Sequence, residues 1–262
     1  TLYFSAIDDI NNGRELWKSD GSSVGTVMVK DIAEGFYNSW PHNLTAVGNT
    51  LYFVVDDRDN GIELWKSDGS NSGTVLVKDI AEGNSLPSNL TAIGNTLYFS
   101  ANDGVNGIEL WKSDGSSSGT VMVKDISVGP SSSTPESLTA IGNTLYFRAF
   151  DDENGIELWK SDGSSLGTVL VKNITEGSLS STLENLTAIG NTLYFRVADN
   201  ERNSRFTLWK SDGSSSGTVQ VKDIHTPSLS SITEKFTAIG NTLYFRASGD
   251  SSGFELWKSD GS

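Results

Sequence analysis

ELWKSDGS occupies residues 15–22 and returns unchanged at 63–70, 109–116, 157–164 and 255–262. At 207–214 only the first letter differs, with Thr207 standing where the other copies have Glu. The tryptophans of these copies, Trp17, Trp65, Trp111, Trp159, Trp209 and Trp257, are spaced 48, 46, 48, 50 and 48 residues apart. Self-similarity at a fixed period marks a repeat architecture, in which one unit buries its apolar face only by stacking on the next.

Working outward from ELWKSD, each period holds three further short apolar runs. TLYF begins at Thr1, Thr50, Thr96, Thr144, Thr192 and Thr242. GTVxVK(D/N)I fills 25–32, 73–80, 119–126, 167–174 and 217–224. LTA(V/I) starts at Leu44, Leu90, Leu138 and Leu186, and Phe236 opens its fifth copy. Val, Ile, Thr, Tyr, Phe and Trp suit a pleated, half-buried surface, so these runs are predicted strands. Gly-Asn joins LTA(V/I) to TLYF in every copy, a two-residue hairpin signal. Asp-Gly-Ser-x-x-Gly joins the ELW run to GTV, with Gly supplying unusual backbone angles. Consecutive hairpins make an antiparallel meander, and no stretch carries a helical period.

Apolar residues occupy both faces of these strands: Leu2 and Phe4 against Tyr3, Val27 and Val29 against Met28 and Ile32. A sheet apolar on both faces must be covered on both. Radial repetition of four-stranded sheets does this, so the expected fold is all-β, a β-propeller of antiparallel blades. A β-solenoid is the alternative, weakened by the tight Gly-Asn hairpins. The longest connection, nine to eleven residues, follows GTVxVKDI, where a propeller chain returns from rim to axis. The order within a blade is therefore LTA (strand A), TLYF (B), ELW (C), GTV (D), with A innermost. The whole chain is expected to be one propeller domain, with repeats 1–49, 50–95, 96–143, 144–191, 192–241 and a partial 242–262. That gives 22 strands, five and a half blades. Six blades are favoured over five, and an excerpt of a longer array or strands lent between subunits would account for the half.

The 262 residues carry 19 Lys and Arg against 33 Asp and Glu, a net charge of −14. Nucleic acid needs a basic stripe and anionic membrane needs a basic patch; the sequence has neither. Without cysteine there is no disulfide, thiolate site or thiol nucleophile. No apolar run approaches the ~18 residues of a membrane span. The chain begins at Thr1 without Met or a leader, as a mature form or an excerpt would.

ELWKSDGS followed by GTVxVKDI, with NLTA(V/I)GNTLYF and NGIELW, resembles the ELWxxDGT repeat family of large bacterial proteins. The resemblance runs the length of the chain, with Ser in place of the family's Thr after Asp-Gly in all six copies. It implies propeller-forming surface or secreted proteins, and it implies no catalytic residue.

Candidate chemistry lies where the copies differ. The A–B and C–D turns barely vary; the B–C and D–A loops vary strongly, and they share one face of a meander. Loops held by a rigid scaffold are where binding normally sits. The B–C loops are acidic: Asp8 and Asp9; Asp56, Asp57 and Asp59; Asp103; Asp151, Asp152 and Glu153; Asp199 and Glu201; Asp250. Clustered hard oxygens suit calcium, for which Asp56, Asp57, Asp59, Asp151 and Asp152 are the candidate ligands, although Asp and Asn also cap such turns. The first D–A loop carries Phe36, Tyr37, Trp40 and His42, a set that would stack on a sugar ring or a flat ligand. Arg148, Arg196 and Arg246 follow TLYF in three successive repeats and would grip a carboxylate or sulfate, or pair with nearby acids. His42 and His225 are the only histidines, and no phosphate-loop glycine pattern is present. Asn43, Asn89, Asn173 and Asn185 match glycosylation sequons. The lysine of WKSD is expected to lay its stem on the adjacent Trp with its head in water.

These features lead to the expectation of a non-enzymatic, extracellular or cell-surface structural or adhesion repeat protein. It would self-associate, with filaments as one form, and would need no cofactor. The alternative is a lectin-like propeller that binds glycans, calcium-assisted or not.

Overall fold

The computed structural model of the chain describes residues 1–7, 13–175, 182–198, 205–225, 236–249 and 253–261. Asp8, Asp9, Asp199, Glu201 and Asp250 lie outside the described residues. Within them the regular structure is all strand, 22 strands in six antiparallel sheets, with no helix. The predicted runs fall in the predicted order.

Two compact units divide the chain. The first, Thr1–Thr134, holds three sheets. They are β1 (Leu2–Ile7), β2 (Arg14–Ser19) and β3 (Val27–Lys30); β4 (His42–Val47), β5 (Thr50–Asp56), β6 (Ile62–Ser67) and β7 (Val75–Lys78); and β8 (Ser88–Ile93), β9 (Thr96–Asn102), β10 (Ile108–Ser113) and β11 (Val121–Lys124). The second, Pro135–Ser262, holds the other three. They are β12 (Glu136–Ile141), β13 (Thr144–Asp151), β14 (Gly155–Ser161) and β15 (Val169–Lys172); β16 (Thr182–Ile189), β17 (Thr192–Ala198), β18 (Arg205–Ser211) and β19 (Val219–His225); and β20 (Thr237–Ile239), β21 (Thr242–Gly249) and β22 (Gly253–Ser259). Inside each unit the first strands of successive sheets lie side by side, β4 on β8, then β12 on β16 and β16 on β20.

The C–D turn explains why ELWKSDGS hardly varies. In the second repeat Asp68 Oδ1 accepts both the amide and the hydroxyl of Ser70, at 2.8 and 2.7 Å. Ser70 Oγ in turn accepts the amide of Gly73 at 3.0 Å, and Ser67 and Thr74 share a hydroxyl bond of 2.7 Å. A Cβ at Gly73 would lie 2.1 Å from the Asp68 carboxylate, so only glycine fits there. These turn donors also hold the Asp68 carboxyl below its usual range.

Sheets pack through one recurring cluster. Leu16, Val29 and Ile32 of one sheet meet Leu51, Phe53, Val55 and Trp65 of the next, with Leu76 against them. Leu64 and Val77 meet Leu97, Phe99, Ala101 and Trp111 in the same way. Phe53, Phe99, Phe147 and Phe195 are fully buried, each worth ~1.5–3 kcal/mol over exposure. Polar bonds lock the same interfaces: Lys30 Nζ donates to the Thr74 carbonyl at 2.9 Å while lying 5.6 Å from the Trp65 ring centre. The WKSD lysine departs from expectation. Lys18, Lys66 and Lys160 do not lie over their own tryptophans with heads in water. They donate to the carbonyls of Gly69, Gly115 and Gly213 in the next sheet, at 2.8, 2.8 and 2.7 Å. The cation over Trp65, Trp111, Trp209 and Trp257 comes instead from the VxVK run of the preceding sheet, as Lys30, Lys78, Lys172 and Lys222.

The fourth strands β3, β7, β11 and β15 are also shorter than the eight-residue run, ending at their lysines. The amide of Ile32, which the ladder would otherwise use, goes to Glu15 Oε2 at 3.0 Å. Glu63, Glu109 and Glu157 take the amides of Ile80, Ile126 and Ile174 likewise. Where Thr207 replaces Glu, the strand runs on: β19 reaches His225, pairing Thr207 with Asp223 and Phe206 with Ile224.

Candidate functional site

Glu15 does more than end a strand. It is fully buried, and besides Ile32 it accepts the amide of Ser39 at 3.2 Å and the Ser39 hydroxyl at 2.6 Å. Ser39 also donates its amide to the Arg14 carbonyl, and its own carbonyl takes the amide of Asp56. Both ends of the D–A loop are thereby tied to a buried carboxylate. Glu63 with Ser85 and Glu109 with Ser133 repeat the arrangement. Burial pushes these carboxyls up, that of Glu63 to about 7, against the lowering effect of their hydroxyl and amide donors.

On this base stands the loop carrying Phe36, Tyr37 and Trp40, which are 77%, 53% and 56% exposed. Gly13 lets the Tyr37 carbonyl approach to where a Cβ would sit at 1.7 Å. Trp40 has φ of 51°, and Leu86 and Thr134 repeat that left-handed position in the next two loops. The backbone geometry is common to these repeats, and only the first puts an indole there. Over Tyr37 lies the Arg58 guanidinium, 3.8 Å from the ring centre, and the Arg14 guanidinium is 5.1 Å from that of Trp40. His42 turns Nδ1 to the Trp40 carbonyl at 2.8 Å. The structure thus brings together four residues expected from the sequence and two that were missed. The signal for those two was present: Arg14 stands where other repeats have Ile62, Ile108 and Ile156, and Arg58 where the third has Gly104. Paired arginine–aromatic stacks offer flat apolar faces rimmed by guanidinium donors.

The three later arginines do not join this group. Arg148 pairs with Glu136 and Arg196 with Glu184, each on the neighbouring strand of its own sheet. Arg148 also donates to the Leu183 carbonyl at 3.3 Å. Arg246 lies 4.3 Å from the Phe254 ring centre.

The acidic B–C loops fold as capped turns. Asp56 Oδ1 accepts the Arg58 amide at 2.8 Å. Asp57 accepts the amides of Asp59 and Asn60 and the side-chain amide of Asn60. Asp151 accepts the amides of Glu153 and Asn154. Asp59 and Asp152 are exposed at the same turns. Among the described residues no three His, Asp or Glu gather as a metal-holding group.

No protein-family model and no curated protein sequence matches the chain. Solved structures do match in fold. An uncharacterized protein, lmo1340 from Listeria monocytogenes EGD-e, is 9% identical, with 99% of this chain and 76% of that one covered and a TM-score of 0.54. A prolyl endopeptidase is 12% identical at a TM-score of 0.53; 93% of this chain covers 37% of it. A computationally designed protein, Ika8, is 15% identical over 97% of this chain and 69% of that one, at a TM-score of 0.51. At such identities the likeness is one of fold, that of propeller-like repeated sheets.

Proposed function

We propose that the chain is a non-enzymatic repeat scaffold or adhesion module of the ELWxxDGT kind, extracellular or at a cell surface, whose six sheets are propeller blades and which associates with copies of itself. The observation that carries this reading is a pair of uncovered sheet faces. Leu16, Leu64, Leu110, Leu158 and Leu208, the third-strand leucines, are buried, yet their counterpart Leu256 is 77% exposed. Leu51, Leu97, Leu145, Leu193 and Leu243 of the second strands are buried, yet Leu2 is 65% exposed. Within each unit successive sheets join these two kinds of face, so a copy's Leu256 face suits another copy's Leu2 face. Such a head-to-tail contact closes a ring or extends a filament. The non-enzymatic reading rests on the recurring polar side chains, since Lys18, Ser19, Asp20, Ser22 and Glu15 are all taken up in turn or inter-sheet bonds.

Sedimentation across a range of concentrations, with negative-stain electron microscopy, tests it. Concentration-dependent association that Leu256→Asp weakens is the expected result. A monomer at every concentration would remove self-association from the reading.

The second reading is carbohydrate binding, favoured by the stacks of Arg58 on Tyr37 and Arg14 on Trp40. A glycan array run with and without calcium tests it, together with Tyr37→Ala and Trp40→Ala. Binding that these substitutions abolish supports the reading; a flat array removes it.

A further inference from the structure

Five residues of the first unit break the repeat pattern in one place. Phe36, Tyr37 and Trp40 lie in the loop between β3 and β4, Arg14 opens β2, and Arg58 lies in the turn between β5 and β6. The third repeat has Pro130, Ser131, Thr134, Ile108 and Gly104 at those positions. The backbone is common to both repeats. Gly13 and Gly107 admit the carbonyls of Tyr37 and Ser131, and Arg14 and Ile108 donate their amides to the side chains of Asn38 and Ser132. Only the side chains are new.

Arg58 is strained. Its φ is 72°, a left-handed backbone that Gly104 adopts freely at 79° and that any residue with a Cβ resists. The strained turn lays the guanidinium 3.8 Å from the Tyr37 ring centre. Neither stacked guanidinium is neutralised by the chain. Arg148 and Arg196 have Glu136 and Glu184, whereas among the described residues Arg14 and Arg58 have no carboxylate partner. The acids beside Arg58 are occupied in the turn itself: Asp56 Oδ1 takes the Arg58 amide, and Asp57 takes those of Asp59 and Asn60. Arg14 gives one N–H to the Ser5 carbonyl at 3.3 Å.

We infer that this site binds an acidic sugar chain, uronate or sulfated, with the exposed rings of Phe36, Tyr37 and Trp40 against sugar faces and the Arg14 and Arg58 forks on its anionic groups. Acidic-sugar binding rests on the carbohydrate reading above and narrows it to one class. A guanidinium fork matches a carboxylate or sulfate with two parallel N–H bonds, and the rings supply flat apolar area. The net charge of −14 acts weakly at contact, because it is screened beyond ~8 Å at physiological salt.

The test titrates the whole chain by calorimetry with tetragalacturonate, with its methyl ester, which removes only the charge, and with a sulfated galactan oligosaccharide. Two variants borrow residues that the fold already accepts, Arg58→Gly after Gly104 and Arg14→Ile after Ile108, and thermal melts report their folding. The expected result is acid bound about tenfold or more tightly than its ester, a margin that each variant narrows and the two together erase with the melt unchanged. Tighter binding of the sulfated chain, lost in the same variants, supports the site and assigns sulfate as its anion. Equal binding of acid and ester overturns the acidic class and leaves the carbohydrate reading standing. An acid preference that survives in the folded double variant overturns these arginines as its seat. Binding of neither acidic chain overturns the acidic class, and the glycan array then decides the carbohydrate reading by itself.

Discussion

The Ser85 hydroxyl donates to the Glu63 carboxylate across 2.5 Å, and both side chains are closed off from water. Twenty-two residues separate them, and the bond holds the base of a loop whose tip is free to differ between repeats. Because the carboxylate is buried among amides and hydroxyls, with no cation bonded to it among the described residues, its protonation is coupled to folding.

The pH dependence of stability follows. Glu63 titrates near 7 in the folded chain against 4.5 unfolded, through burial. A raised carboxyl stabilises most below its unfolded value, and that contribution is lost as pH rises through the folded one. Stability should therefore fall between about pH 4.5 and 7, by about 3 kcal/mol from Glu63, and Glu15 and Glu109, raised by the same burial, add in the same direction. Asp20, Asp68, Asp114 and Asp212 are shifted the opposite way, by their Ser22, Ser70, Ser116 and Ser214 bonds. Their contribution is present above the unfolded value and is lost in stronger acid as pH falls through the folded one. Thermal melts across this range should show a maximum in mild acid, and Glu63→Gln should flatten its neutral limb.

Replacing Glu109 with Thr should lengthen a strand. The Ile126 amide, released from the carboxylate, would enter the ladder as Ile224 does opposite Phe206. The loop base would loosen, at a cost of ~1–3 kcal/mol from lost buried bonds. Amide exchange at Ile126 and Ser133 reads both effects: slower at the first, faster at the second.

Gly73→Ala should destabilise by ~1–3 kcal/mol, because its Cβ displaces the Asp68 carboxylate and the bonds that close the turn. Ser72→Ala, on the exposed side of the same turn, should be close to neutral in the same denaturant titration.

Lys78→Met keeps the aliphatic stem over Trp111 but loses the Thr120 carbonyl bond and the cation above the indole. A loss of ~1–3 kcal/mol is expected, measured by chemical denaturation. Lys78→Arg should restore part of it.

Much of this was legible in the letters. Gly-Asn hairpins and the position of the longest loop set the strand order, since each constrains only residues close in sequence. The partners of Glu15 and Lys18 were not legible. Glu15 looks like any outward strand residue until a loop 24 positions later folds back to it, and Lys18 meets its carbonyl 51 positions away. The extra residue in the first strand was also missed. Asn43, Asn89 and Asn185 take the left-handed backbone there, and pairing jumps from His42–Val54 to Thr45–Tyr52. The aromatic loop was found because it broke the pattern, and Arg14 and Arg58 were overlooked although they broke it too.

The clamp formed by Glu15, Ile32 and Ser39, with Ala33 in the core and the Asn38 side chain accepting the Arg14 amide, makes the segment 34–37 a cassette. Its two ends are fixed from outside it, so its four positions are not what holds the loop base. A foreign tetrapeptide spliced between Ala33 and Asn38 should be displayed on an unchanged chassis.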